Sequence, residues 1–441
     1  MVFAPLAVQG SVDDERADDE QVVVALDHCL LWAREMETLR NTTCALAQIR
    51  PEQFLAAFSH THAAGLMGWE REDLPGGELI RPYLNALAKN IAEIITAARK
   101  TSVEATIVYG TGSCALAAQR DFWDDGSRQF VCGLNPEAPA DQTVLIARAN
   151  DARGELLASI VNYACHPTTL AWENTLISPD FPGAMRETVE QATAAPCVFL
   201  QGASGDLGPR HGFVGDVEVA DRNGRQLGHA ALAAFESLPP PATRFEYSGP
   251  VLSGATLGRW DHVPLSDDAI ARNARWRMRR WTLSLPLREG FPTEEETLAL
   301  RDDWRNREAA ARAAGDESAA ADCRAMMERM DRRLVRIRGI AGETFPLPIT
   351  LWQNGAAFWV AVEGEPYNVL QTQLRARCPK APIVVMAIAN GSRCSYLPPR
   401  ENYDKDIYQS SVAVLAPGCL EQLIDEIAAQ IQRWLKDDPA D

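Results

Sequence analysis

Nothing in this chain approaches the ~20 consecutive apolar residues that a helix needs to cross a bilayer. The first twenty residues, MVFAPLAVQGSVDDERADDE, place no basic segment ahead of an apolar one, so no secretory signal is expected there. Basic charge is also scarce: 43 Lys+Arg stand against 60 Asp+Glu, a formal net charge of −17. A nucleic-acid partner, which needs a basic face to displace counterions, is therefore not expected. Neither is membrane docking through a polybasic patch. The ten cysteines (Cys29, Cys44, Cys114, Cys132, Cys165, Cys197, Cys323, Cys378, Cys394 and Cys419) contain no CxxC pair. Scattered, with several inside apolar runs, they read as reduced, buried thiols of a cytoplasmic protein. Internal repeats are missing, as are a GxSxG elbow, a GxxxxGK[ST] loop and an HExxH helix.

What is present is ordinary globular composition over 441 residues, 46% hydrophobic and 23% charged. Short apolar runs at 22–26, Phe54–Phe58, 106–109, 143–148, 156–164, 197–200, Ala357–Val362 and 383–388 read as strands. Helical spacing marks 31–40, Ile80–Lys100 and 420–435. The interleaving predicts an α/β fold, a layered mixed β-sheet core with flanking helices. The whole chain, 1–441, reads as one domain. Residues 261–338, rich in Arg, Glu and Ala and including WRMRRW, read as an inserted helical hairpin, a lid or an oligomer contact, with solvated charged faces. Pro239-Pro240-Pro241 marks a turn before it, and residues 13–20 form an acidic stretch.

Polar clusters follow five of the apolar runs. They are Ser59-His60-Thr61-His62, Cys165-His166-Pro167-Thr168, Gln201-Gly202-Ala203-Ser204-Gly205-Asp206, Glu363-Gly364-Glu365-Pro366, and Asn390 through Tyr396. Open α/β sheets gather ligands beyond the carboxyl ends of their strands, because loops converge there. One site at those ends is thus expected. His60, His62, His166, Glu365 and Tyr396 offer enough nitrogen and oxygen donors for a divalent cation such as zinc. On residue types alone, buried hydrogen-bonded histidines explain the same motifs, and Ser204 stands as a nucleophile candidate without a base identified by spacing.

At these clusters the chain resembles the neutral/alkaline non-lysosomal ceramidase family, in its N-terminal catalytic domain. The resemblance runs through Ser59-His60-Thr61-His62, Gln119-Arg120, the segment NYACHPTT from Asn162 to Thr169, and ISPDFPG from Ile177 to Gly183. It continues through QGASGDLGPR from Gln201 to Arg210, Gly364-Glu365-Pro366, Tyr396-Leu397-Pro398 and Tyr403. It implies one Zn2+ per chain held by His60, His166, Glu365 and Tyr396, with His62 and Arg120 beside the scissile carbonyl. Asn162, Asp180, Ser204 and Tyr403 are expected to contact substrate or brace the ligands. The family's serine in the segment matching Asp206-Leu207-Gly208-Pro209 is replaced by Gly208, which puts a serine-dependent step in doubt. The segment before the first strand looks shortened, and the family's C-terminal β-sandwich is not expected in this chain.

The resulting expectation is a zinc-dependent amidase acting on a soluble, N-acyl type small molecule by metal-activated water. An ester or lactone substrate is the alternative within hydrolase chemistry. A metal-containing binding protein without turnover is the alternative of another class. No membrane partner is expected, and a homo-oligomer is compatible with the inserted hairpin.

Overall fold

The computed structural model describes residues 1–3, 20–340 and 342–437. The acidic stretch at 13–20 falls outside them except for Glu20, which pairs with Arg99 at 2.7 Å.

Strand alternation organises the molecule. In Thr143–Asp151, Val144 and Ile146 enter one core layer while Leu145 and Ala147 enter another. Ala357–Val362 divides likewise, with Phe358, Val360 and Val362 on one side and Trp359 and Ala361 on the other. In Phe54–Phe58, Phe54, Ala56 and Phe58 are separated from Leu55 and Ala57 in the same way. Successive side chains point to opposite faces, so a strand that is apolar throughout must be covered on both. Three sheets share the central layer, which includes Val23, Leu55, Leu145, Ile160, Leu200, Trp352, Trp359 and Val384.

The first sheet orders Val2–Phe3, Gln21–Leu26 and Phe54–Phe58. The second orders Cys197–Gln201, Leu156–Tyr163, Thr143–Asp151 and Ala105–Ser113. The third orders Trp276–Pro286, Thr344–Asn354, Ala357–Val362 and Ile383–Met386. Each sheet contains one parallel pair among antiparallel ones, as expected for a mixed core. The outer faces are covered by helices. Ala33–Ala47 and Ile80–Lys100 pack on the first sheet, Phe181–Thr193 and Val217–Glu236 on the second, and Cys419–Lys436 on the third. The last of these buries Leu420, Leu423, Ile424, Ile427, Ile431 and Trp434, an i, i+3, i+4 stripe. No helix among the described residues is long and apolar enough to cross a membrane.

The 261–338 region departs from a wholly helical reading. Thr256–Pro264 forms an antiparallel ribbon with Thr243–Leu252, and Trp276–Pro286, which contains WRMRRW, pairs with Thr344–Asn354 along its length. Composition hid the period here. Trp276 and Met278 face the central layer while Trp281, Leu283 and Leu285 face the helix side. The interspersed arginines lay their charge aside, Arg279 over the Trp281 ring at 4.8 Å and Arg280 on Gln21 Oε1 at 3.0 Å. The helical hairpin begins only at Glu294 and comprises Glu294–Ala313 and Glu317–Arg338. A Thr293–Glu296 capping box opens the first helix, and Asp316 caps the second.

Polar side chains tie the three sheets at the carboxyl ends of their strands. Asn162 Nδ2 donates to Leu200 O at 2.9 Å and Val385 O at 2.8 Å, and its Oδ1 accepts from Val385 N at 3.2 Å. Asn390 exchanges two hydrogen bonds of 2.9 Å with Ala56. Ala387 N donates to Gln201 O at 3.0 Å.

Candidate metal centre

His60, His166 and Glu365 sit just past the ends of sheet strands, and Tyr396 lies on a short strand beside Glu365. His60 follows Phe54–Phe58 with φ at 66°, a left-handed conformation that is uncommon for residues other than glycine. His166 follows Leu156–Tyr163, and its amide donates to Leu207 O at 3.0 Å. Glu365 and Tyr396 become direct neighbours because Glu365–Pro366 pairs in parallel with Tyr396–Leu397. Gly364, at φ 86°, permits that approach. A Cβ there would lie 2.4 Å from Cys394 Sγ and 2.8 Å from Ser395 O.

The donors converge tightly. His60 Nε2 lies 3.1 Å from His166 Nε2. Glu365 Oε2 lies 3.3 Å from the first and 3.2 Å from the second. Tyr396 Oη is 3.3 Å from His166 Nε2. All four residues are buried. Both imidazoles commit Nδ1 to a backbone carbonyl, His60 to Cys29 O and His166 to Ser204 O, each at 2.7 Å. Those bonds place a proton on Nδ1 and turn two Nε2 lone pairs toward one another and toward a carboxylate. Such a focus of lone pairs needs a cation or a proton at its centre. Donors of a tetrahedral zinc, at roughly 2.0–2.1 Å from the metal, stand roughly 3.3–3.4 Å apart. The observed spacing and the N2O2 donor set therefore fit zinc.

Without a cation, one proton does that work. The pKa of His60 is raised well above 6.5: burial opposes its charge, but Cys29 and Glu365 outweigh burial. His166 is lowered to about 3, by burial and the nearby Arg120. Glu365 stays ionised well below the usual carboxylate range, because His60 and His166 overcome its burial. Burial and the Glu365 charge push the Tyr396 phenol well up.

His62 and Arg120 flank the donors. The His62 ring centroid is 4.9 Å from that of His60 and 5.7 Å from that of His166. His62 is exposed to solvent at its surface, with the ring flanked by the buried donors. Desolvation lowers its pKa well below 6.5, and His60, His166 and Arg120 add to the effect. It is thus neutral at neutral pH. Arg120 is buried, donating to Gly205 O at 2.7 Å and to Tyr396 Oη at 3.0 Å.

The remaining expected residues divide. Ser204 carries the His166 ring on its carbonyl, while its Oγ accepts from Gln201 Nε2 at 2.6 Å. Asp180 caps Phe181–Thr193 and accepts from Leu170 N at 2.9 Å, bracing the loop after His166. Asn162 ties sheets rather than ligands. The Tyr403 hydroxyl donates to Leu415 O at 2.9 Å, and Arg288 lies over its ring. The residue directly follows the short 3-10 turn Arg400–Asn402.

Two contributors have no signal in residue type. One is the Cys29 carbonyl. The other is Ser392, whose Oγ meets Glu365 Oε1 at 3.3 Å. Asp206, within the QGASGDLGPR run, was legible but unassigned. It is buried, accepts from Asn368 N at 2.7 Å, and burial pushes its carboxyl up to about 7. At Gly208 a Cβ would meet Arg120 Cδ and Thr168 Oγ1 at 3.8 Å, ordinary contact, so the fold would accept a side chain there.

The layered mixed-sheet fold is similar to that of solved ceramidase structures. Superposition on a ceramidase complexed with C2 gives a TM-score of 0.59 at 14% identity, covering 95% of this chain and 68% of that one. For the neutral ceramidase from Pseudomonas aeruginosa the TM-score is 0.58 at 15% identity, covering 94% and 66%. The fold thus agrees with the resemblance seen in the motifs. No protein-family model and no curated protein sequence matches the chain.

Proposed function

We propose that this chain is a zinc-dependent hydrolase that cleaves the amide bond of a small, soluble N-acyl compound. The supporting observation is the pair of Nε2 lone pairs facing the Glu365 carboxylate, each imidazole oriented by a backbone carbonyl. His60, His166, Glu365 and Tyr396 would hold the ion, which when bound acts as a Lewis acid and lowers the pKa of water toward neutrality. The likeness to ceramidases, whose name denotes amide cleavage, supports the reaction type.

The chain's own residues supply the rest. Arg120 anchors Tyr396 through its guanidinium and presents positive charge where an oxyanion would develop. His62, neutral and reachable from solvent, can accept a proton from water and pass it to the departing nitrogen. In the net reaction water oxygen forms the new C–O bond and the C–N bond breaks. The amine leaves with the proton, and an acid and an amine result. All ten cysteines are free, which supports a reducing, cytoplasmic setting.

Elemental analysis joined to a panel of N-acyl amides and esters tests the proposal, on wild type and His166→Ala. The expected result is about one zinc per chain, release of amine by wild type, and loss of both in the variant. The glycine at 208 favours one other reading, a metal-containing binder. Full zinc occupancy without turnover on either substrate class would select it.

A further inference from the structure

A cavity of about 430 Å³ lies between the first helix, the 69–72 turn and the end of Glu317–Arg338. Trp32, Arg34, Trp69, Arg81, Arg336 and Arg393 contribute to its wall. It adjoins the metal centre along the chain itself. Residues 29–32 run from the carbonyl that orients His60 to Trp32, and residues 393–396 run from Arg393 to Tyr396.

Most charges in this wall are already engaged. Arg81 donates to Glu72 at 3.0 Å, Arg393 pairs with Glu363 at 2.7 Å, and Arg34 stacks over Trp69 at 4.4 Å. Glu35 accepts from Trp69 N at 2.8 Å and Glu70 from Trp32 Nε1 at 3.2 Å. Arg336 differs. It is only 8% exposed, and its Nε is buried without a hydrogen-bond partner. Its guanidinium rests 5.3 Å from the Trp32 ring centre and interacts through space with Tyr408, Glu365 and Tyr396. No carboxylate pairs with it among the described residues. A guanidinium does not shed its proton in a protein, and a buried charge without a counter-ion is costly. The helical hairpin therefore delivers to this cavity a planar fork without a directly paired carboxylate, its through-space partner Glu365 being engaged by His60 and His166.

We propose that Arg336 is the substrate's anion-recognition residue, and that the cleaved amide belongs to an N-acyl compound bearing a carboxylate that occupies this cavity. The guanidinium fork matches a carboxylate with two parallel hydrogen bonds. Glu35, Glu70 and Glu72 in the same wall would repel the second charge of a phosphate monoester, so the singly charged group fits better. The inference rests on the amide-hydrolase reading for the role of the bound compound, but the anion site can be tested without catalysis.

Calorimetric titration of the full chain, stripped of metal so that nothing turns over, compares N-hexanoylglycine with N-hexanoylglycinamide. Wild type should bind the carboxylate about tenfold more tightly than the carboxamide, as one charge-assisted bidentate contact predicts. Arg336→Gln should bring the ratio to about one, and Arg336→Lys, which keeps the charge without the fork, should retain part of it. Thermal melts check that both variants fold, and the lysine variant carries the test if the glutamine variant does not. Equal binding of the two probes by wild type, no binding of either, or an unchanged ratio in Arg336→Gln would overturn the proposal. Discrimination without amide turnover by the zinc-loaded protein would leave the anion site standing and remove the hydrolase reading. Turnover without discrimination would do the reverse.

Discussion

At the scale of single residues, the centre depends on protons being where the backbone puts them. A zinc ion bound as proposed would have to displace the proton that His60 holds in the metal-free chain, where its pKa lies well above 6.5. Zinc affinity should therefore rise with pH through the range above 6.5 and level off once His60 titrates, as chelator competition at several pH values would show. A flat profile would mean that His60 holds no competing proton. Gly364→Ala should destabilise the chain by about 2–4 kcal/mol in denaturant melts, since it combines a strained positive φ with a clash on Cys394. Gly208→Ser should leave the melt unchanged within about 0.5 kcal/mol, because its Cβ meets only ordinary contacts. The motifs made the clustered donor side chains legible, since HTH, CHPT, GEP and YLP each announce one. They could not announce the Cys29 carbonyl, which any residue could provide, or Arg336, which sits in a charged run that looks solvated.

At the scale of elements, alternation and helical spacing were legible wherever apolar residues dominate. Phe54–Phe58, Ile80–Lys100 and Ala357–Val362 are found at the bounds that their patterns predict. Trp276–Pro286 was not legible, because arginines occupy positions where their stems lie along the sheet and their charges reach out. Element packing yields a separable prediction. Ile427→Ala on the Cys419–Lys436 helix should cost about 2–5 kcal/mol in chemical denaturation while zinc stoichiometry stays at wild-type level. Loss of zinc in that variant would show the outer helix and the centre to be coupled. Asn162, expected to contact substrate or brace the ligands, joins the Leu156–Tyr163, Cys197–Gln201 and Ile383–Met386 strands.

At the scale of the whole molecule, three sheets must meet for the centre to exist at all. His60 comes from the end of the first sheet, His166 from the second, and Glu365 follows the third. The interlayer core around Trp352 and Trp359 therefore sets the distances between donors, and the helical hairpin closes one side with Arg336. Layer class was legible from the sequence because strands apolar on both faces require cover. That the strand ends gather one site was legible from the five polar clusters, whereas their supply by three separate sheets, bridged by Asn162 and Asn390, was not. The proposed hydrolysis requires that this convergence hold a catalytic ion. Metal content measured alongside amide hydrolysis, in the same preparations of wild type and His166→Ala, tests it most directly. Wild type should carry about one zinc per chain and release amine from an N-acyl substrate, and the variant should lose both. A metal-free wild type that hydrolyses the amide as fast as the zinc-loaded form would contradict it.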